Sequence, residues 1–307
     1  MLEDASREVP DIVLACLKKR LTPMTIQDIQ EQTGLPIWMI EEALKYLDRR
    51  GYHIKKIVSG EHTYYSLVRD GTHTKFVLTG DIETPIVLTG DFHVGSNQFV
   101  LEAYKRMLRD IDEYSVKHVC IAGDLLQGRG VYRTEFHDLA IPDISGQIEY
   151  AVSLLKEIPS SVGIHLVMGN HEEKIKGNVE VGLDALLLVS RQLPNCKYYG
   201  SVANLRLNKD FTYMMMHGSG PVTMGVTYRA ERIWRELIEK PNILHLGHTH
   251  QSFVVRKGNT WWIISSGSLQ RTNAWLMSKG WNAKVGYFIL LEMDEGGIVL
   301  VERQVKA

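Results

Sequence analysis

Cysteine is scarce. The three in 307 residues, Cys16, Cys120 and Cys196, are odd in number and far apart, which excludes a disulfide scaffold. No apolar run reaches the roughly 18 residues that a membrane span requires. The opening residues, MLEDASREVP, are acidic and lack an apolar core segment. No secretory signal is therefore expected, and cytoplasmic localisation is the default. An excess of one charge is missing too, since Lys+Arg 35 against Asp+Glu 36 leaves a net charge of -1. Contact with nucleic acid then has to come from local clusters or from metal ions that offset phosphate charge. What is present is ordinary globular composition, 44% apolar and 23% charged. That length and content suit one large domain or a large plus a small one.

The first seventy residues read differently from the rest. Ile12, Val13, Leu17 and Leu21 mark an amphipathic helix, and Thr25 can cap a second that runs to Thr33. After the Gly34-Leu35-Pro36 turn, Ile37, Ile40, Leu44 and Leu47 predict a third helix, ended by Gly51. Two β-like runs follow, His53 to Val58 and Thr63 to Val68. Three helices and a hairpin make a winged-helix pattern over residues 1–72. Lys45, Arg49, Arg50, Lys55 and Lys56 would help a third helix into a DNA groove. Yet residues 1–70 carry 10 basic against 11 acidic residues, so a protein-binding or purely structural module is an equal reading.

From residue 76 the pattern alternates short β-branched runs with amphipathic helices. Helices are expected over Asn97–Glu113, Ser145–Glu157, Val181–Leu193 and Val222–Glu239, and the C-terminal part turns mostly β. That order predicts an α/β sandwich with at least one mixed sheet. Five of the strand-like runs end in a loop that carries metal-loving residues: PIVLTGDFHVGS (Asp91, His93), HVCIAGDLLQGRG (Asp124), IHLVMGNHEE (Asn170, His171), YMMMHGSG (His217) and ILHLGHTH (His248, His250). Ligands of α/β folds sit at the carboxyl ends of strands, so five such ends can converge on one pocket. Asp91/His93 and His248/His250 are spaced i, i+2, which in extended backbone turns both side chains to one side. The glycines before Asp91, Asp124, Asn170 and His248 are expected to supply tight turns and close backbone approach.

Two carboxylates, one carboxamide and four imidazoles, before His171 is included, exceed the four ligands of a tetrahedral zinc. They fit two cations roughly 3.5–4 Å apart sharing one carboxylate. Nitrogen and oxygen donors without thiolate point to Mn first, with Fe, Zn or Mg behind.

The order D-x-H, G-D, G-N-H-E, H-G, G-H-x-H, over about residues 80 to 295, resembles the calcineurin-like metallophosphoesterase superfamily. Within it the chain is most similar to the phosphoesterase domain of the small, exonuclease subunit of archaeal D-family DNA polymerase. The resemblance implies a four-layer α/β/β/α sandwich over residues 80–307 beside the winged helix, and a 3′-to-5′ DNA nuclease. It implies one metal held by Asp91, His93 and His250, a second by Asn170, His217 and His248, Asp124 bridging them, and His171 as general acid. Arg129, Tyr132 and Arg133, just after Asp124, are expected to contact substrate phosphate and bases. Trp275 and Trp281, in a later loop, could stack on bases or pack the loop down.

Three features depart from the family. Gln127 stands where an acidic residue or His is common. Glu172 follows His171 where the nuclease branch mostly has Asp. Glu also occurs in Ser/Thr protein phosphatases, but this chain has Met168 in place of their Arg before Gly-Asn-His. A winged helix also takes the place of an oligonucleotide-binding domain, which suggests a stand-alone enzyme with DNA as substrate, no membrane partner and homodimerisation open. The alternatives are a phosphodiesterase or phosphatase of the same superfamily acting on small nucleotides or phosphoproteins, or a winged-helix binding protein with a scaffold phosphoesterase domain. No donor is missing, which favours catalysis over scaffold.

Overall fold

Short β-branched runs separated by amphipathic helices can bury both faces of a sheet only if sheets stack with helices outside. The computed structural model describes residues 2–19, 24–49, 54–59, 62–67, 77–131, 137–177, 184–218, 225–237, 239–258, 260–278, 280–295 and 297–306. The chain divides into two units, Met1–Lys75 and Phe76–Ala307.

The first unit contains α1 (Leu2–Lys19), β1 (Met24–Thr25), α2 (Ile26–Thr33), α3 (Ile37–Arg49), β2 (Ile54–Ser59) and β3 (His62–Leu67), with strand order β1-β3-β2. Thr25 caps α2 as its sequence suggests. Its hydroxyl accepts from the Asp28 amide at 3.1 Å while the Asp28 carboxylate accepts from the Thr25 amide at 2.8 Å, the reciprocal pair that satisfies two orphan donors. Gly34 ends the helix in left-handed backbone, φ 70°. Val13, Leu17, Ile29, Ile40, Leu44 and Leu47 pack as one core.

The second unit runs β4 (Gly80–Ile82), β5 (Ile86–Thr89), α4 (Leu101–Glu113), β6 (His118–Ile121), α5 (Ile144–Leu155), β7 (Gly163–Leu166), α6 (Asn170–Gly177), α7 (Ala185–Arg191), β8 (Cys196–Tyr198) and β9 (Val202–Leu207). It continues with β10 (Phe211–Met216), α8 (Val226–Glu236), β11 (Ile243–Leu246), β12 (Ser252–Lys257), β13 (Trp261–Ser266), α9 (Ala274–Ser278), β14 (Gly286–Asp294) and β15 (Gly297–Gln304). Two six-stranded mixed sheets form, ordered β15-β14-β5-β6-β7-β8 and β12-β13-β11-β10-β9-β4. β5 to β8 are parallel neighbours in the first, and β10, β11 and β13 in the second.

Period-2 alternation sorts each strand between layers. Ile86 and Leu88 of β5, Cys120 of β6, Tyr213 and Met215 of β10 and Ile243 of β11 fill the space between the sheets. Val87, Val119, Ile121 and Ile164 face the other way, under α4, α5 and α7. Met214, Leu244 and Leu246 pack beneath Ala230 of α8. The unit is an α/β/β/α sandwich.

Several expected helices prove shorter. α4 begins at Leu101 rather than Asn97, and α8 spans Val226–Glu236, ending before the expected Glu239, while its expected Val222 start lies outside the described residues. The residues before α4 are held instead by loop bonds, among them Asn97 N–H to the Asp138 carbonyl at 2.7 Å. The expected Val181 start of α7 lies outside the described residues, as do Gly51, His53 and Val68. The Met214–Met216 run is a strand, largely buried.

Candidate metal centre

β5, β6 and β7 run parallel in one sheet, and β10 and β11 in the other, so their carboxyl ends emerge together. Each opens into the loop, or for β7 the start of α6, that carries the expected residues. The backbone there is not extended: Asp91, His93, Asp124, His248 and His250 have φ of 51°, 53°, 50°, 72° and 53°. This corrects the reading of both i, i+2 pairs as extended. Left-handed backbone, tolerated by Asp and His better than by most residues, re-aims each side chain separately. Asp91 and His93 stay together, whereas His248 and His250 part to different neighbours. Five such residues in one cluster mark strain of the kind stored at functional sites.

The glycines serve in both of the expected ways. Left-handed backbone is needed at Gly123, with φ +84°, but Gly169 is required for space. A Cβ there would lie 2.1 Å from Asp124 Oδ1 and 2.3 Å from its amide nitrogen.

Donor atoms lie within 4.8 Å of one another in three overlapping groups, Asp91/His93/His250, His93/Asp124/His171 and Asp91/Asp124/His217, and the expected ligands sort into two sets. In the first, His93 Nε2 lies 3.1 Å from His250 Nε2 and 3.9 Å from Asp91 Oδ1, and His250 Nε2 lies 3.4 Å from the same oxygen. In the second, Asn170 Oδ1 lies 3.0 Å from His217 Nε2 and 2.8 Å from His248 Nδ1. Asp124 Oδ2 stands between them, 3.1 Å from His217 Nε2 and 3.7 Å from His93 Nε2. Asp91, His93, Asp124, His217 and His250 are buried, while Asn170 and His248 are half-buried. Donors about 2.1 Å from one cation sit roughly 3.0–3.4 Å apart, which the spacings of 3.0, 3.1 and 3.4 Å match, while those of 2.8, 3.7 and 3.9 Å lie outside it.

Orientation comes from backbone groups. Nδ1 of His217 donates to the Ala122 carbonyl at 2.7 Å, which turns Nε2 toward the cluster. The Asp91 carboxylate accepts from the His248 amide at 2.9 Å, tying the β11 loop to the β5 loop. His171 sits in the first turn of α6. Its Nδ1 bonds the Gln127 carbonyl at 2.6 Å, and its Nε2 lies 3.9 Å from Asp124 Oδ2.

The electrostatics diverge sharply within this small volume. Burial drives the Asp91 carboxyl well above the usual range, and drives His93 well below it and His250 to about 3. At Asp124 burial acts upward, but the His217 and His171 charges outweigh it and the carboxyl falls well below normal. Its partner His217, which burial alone would lower, is raised to about 10 by Asp124. Titratable neighbours pushed in opposite directions are a signature of functional sites.

Glu172, read from sequence only as a departure, is a clamp. It is buried, and its carboxylate accepts from the amides of Asp124 (3.1 Å), Leu126 (2.8 Å) and Gly169 (2.9 Å). Burial and the Asp124 charge push it up to about 7, while the amides of Leu126 and Gly169 pull the other way. The legible signal was its place three residues after Gly169 at a helix start, the spacing of a capping carboxylate. Gln127 is also buried. Its side-chain oxygen accepts from Gln270 Nε2 at 3.2 Å, and its carbonyl anchors His171.

Arg129 is exposed, while Tyr132 and Arg133 lie outside the described residues. Trp281 is half-buried beside Thr249 and Gln251, and the Trp275 side chain is not described. His118, His165 and His245 are structural. His165 bonds Tyr199 and His118 at 2.9 and 3.0 Å, and His245 bonds Tyr213 at 2.7 Å. Among the described residues no helix is long and apolar enough to cross a membrane.

The family model for the calcineurin-like phosphoesterase superfamily domain matches residues 84–295. Among curated proteins, the chain is 35% identical over 97 residues to the DNA polymerase II small subunit of Pyrococcus horikoshii, covering 28% of this chain and 16% of that one. For the Archaeoglobus fulgidus protein of the same name the values are 38% over 98 residues, 28% and 20%. For that of Methanothermobacter thermautotrophicus they are 23% over 234 residues, 62% and 48%. The chain thus spans less than half the length of these relatives. Among solved structures, Yfce, a phosphoesterase from E. coli, is 18% identical with a TM-score of 0.40, covering 72% of this chain and 98% of its own. Since the matched model encloses all five strand-end loops and both donor sets, the chain belongs to the calcineurin-like phosphoesterase superfamily.

Proposed function

We propose that the chain is a two-metal phosphodiesterase that hydrolyses DNA phosphodiester bonds, as a 3′-to-5′ exonuclease or a related nuclease. The observation that carries this reading is Asp124 Oδ2 standing within 3.1 Å of one donor set and 3.7 Å of the other. Asp91, His93 and His250 would hold one divalent cation, Asn170, His217 and His248 would hold the other, and Asp124 would serve both. Mn2+ suits the donors best, and Fe, Zn or Mg share the preference for nitrogen and oxygen. When bound, the pair supplies charge to the phosphoryl oxygens and lowers the pKa of water.

His171 handles the proton on the other side of the reaction. Anchored through Nδ1, it presents Nε2 to the leaving ribose oxygen and protonates it as the P–O bond breaks. Such a group contributes roughly 10²–10⁴-fold. Exposed Arg129, with Tyr132 and Arg133, is placed in sequence to meet an extended substrate. DNA as the substrate rests on the relatives named as DNA polymerase subunits. The same reading divides the chain into a winged-helix module at 1–72 and the phosphoesterase domain at 80–307.

The test is cleavage of end-labelled single- and double-stranded DNA with Mn2+, alongside bis(p-nitrophenyl) phosphate, by the wild type and His171→Ala. A nucleotide ladder that disappears in the variant is expected, with a far smaller loss on the nitrophenyl diester, whose leaving group needs no proton. Intact DNA beside a hydrolysed small diester would move the substrate to small nucleotides. No turnover of either would refute the proposal.

A further inference from the structure

Two clefts adjoin the candidate centre without belonging to it. One, of about 310 Å³, is walled by Thr249 and Gln251, which flank His250, and by Trp281, Asn282 and Lys284. The other, of about 540 Å³, is walled by Gln98, Arg271, Thr272, Lys284 and Lys306 among others. Lys284 lines both, so they form one groove.

Backbone bonds fix this groove to the donors. The Lys284 amide donates to the His250 carbonyl at 2.7 Å, and the Lys284 carbonyl accepts from Ser268 N–H at 3.0 Å. Leu269 N–H donates to the Asp91 carbonyl at 3.1 Å, and Arg271 N–H to the Gln98 carbonyl at 2.9 Å. The Gln251 side chain holds the Asn282 carbonyl at 2.6 Å. The floor of the groove is therefore continuous with the loops that carry Asp91 and His250.

Its charge is one-sided. Arg271, Lys284 and Lys306 are exposed, no carboxylate lines either cleft, and none of the three is ion-paired among the described residues. Some other cations meet carboxylates, as in Lys117–Glu83, Lys176–Asp184 and Arg232–Glu236. In a chain of net charge -1, an uncompensated basic groove is a local field that attracts a polyanion. The smaller cleft adds an aromatic wall and polar edges, which suit a base only if that base is free of a complementary strand.

We infer that this groove holds an unpaired strand of nucleic acid leading from the candidate centre, a base against Trp281 and successive phosphates against Lys284, Arg271 and Lys306. The inference rests on the phosphodiesterase reading for the meaning of the centre, but its test does not need turnover. Fluorescence anisotropy of a labelled single strand and a matching duplex is measured on the full chain in EDTA over a salt series. The wild type is compared with the triple variant Arg271→Ala/Lys284→Ala/Lys306→Ala and with Trp281→Ala. Thermal unfolding of each variant confirms that it is folded.

Three lost phosphate contacts should flatten the log Kd against log salt slope for the single strand by about 2. Trp281→Ala should weaken binding about 5- to 140-fold with the slope retained. Equal binding by the triple variant and the wild type overturns the groove. An equal loss on duplex overturns the unpaired strand. Strand binding without any metal-dependent hydrolysis would sink the phosphodiesterase reading and leave the groove standing.

Discussion

Replacing Glu172 with glutamine isolates what holds the bridging Asp124 in place. The carboxylate uses both oxygens: Oε2 accepts from Asp124 and Gly169, and Oε1 from Leu126. Either orientation of a carboxamide sets its NH2 against at least one buried amide. Leaving one buried donor unsatisfied costs about 1–3 kcal/mol. The surviving bonds also lose the charge that roughly doubles their strength. The lost bonds total about 2–4 kcal/mol. Relief of the burial and Asp124 repulsion that push Glu172 up to about 7 offsets part of this, so Tm falls by less than the about 4–15 °C that the bonds alone imply for a domain of this size. Calorimetric unfolding of the metal-free protein at pH 8 reads this directly. Titration calorimetry with Mn2+ should show about 10- to 100-fold weaker binding, since groups that orient ligands matter on that scale. A Tm within about 1 °C of wild type, together with unchanged metal affinity, would show that Glu172 is not the clamp.

Gly169→Ala drives a methyl into Asp124, at 2.1 Å from Oδ1, and should reduce Mn2+ affinity at least tenfold by calorimetry; retained affinity would refute the packing argument. Asp110 is fully buried, with Arg106 at 2.7 Å, Arg303 at 2.9 Å and the Tyr287 hydroxyl at 2.6 Å. Asp110→Ala leaves the Tyr287 hydroxyl without its acceptor and two part-exposed arginines unpaired, and should cost about 1–3 kcal/mol in urea unfolding; no measurable loss would contradict it. Burial holds His165 and His245 neutral, each down to about 3, whereas the unfolded chain protonates them near 6.5. Between those values the unfolded state binds more protons. Stability is therefore full above pH 6.5 and falls as pH drops, by up to about 2 kcal/mol per histidine at pH 5. A His165→Gln/His245→Gln variant should show a flatter stability profile from pH 7 to 5, and an identical profile would overturn the assignment.

Much of this protein is legible in its residues, because hydrophobic period and turn chemistry act over a few positions. β5 and β11 fall within the strand-like runs that open PIVLTGDFHVGS and ILHLGHTH. Thr25 caps α2, and the strand ends carry Asp91, Asp124, Asn170, His217 and His248, because side-chain type and local spacing are sequence properties. The short strands β4 and β8, paired at sheet edges, gave no periodic signal because three residues are fewer than the pattern needs. Backbone hand lay out of reach as well. Asp91, His93, His248 and His250 are left-handed because tertiary bonds, such as the His248 amide on Asp91, hold them there, and that decides which donors meet. Glu172 became a clamp, and Lys284, Arg271 and Lys306 a single groove, only when segments far apart in sequence were packed together. Long-range contact carries information that no local window of residues contains.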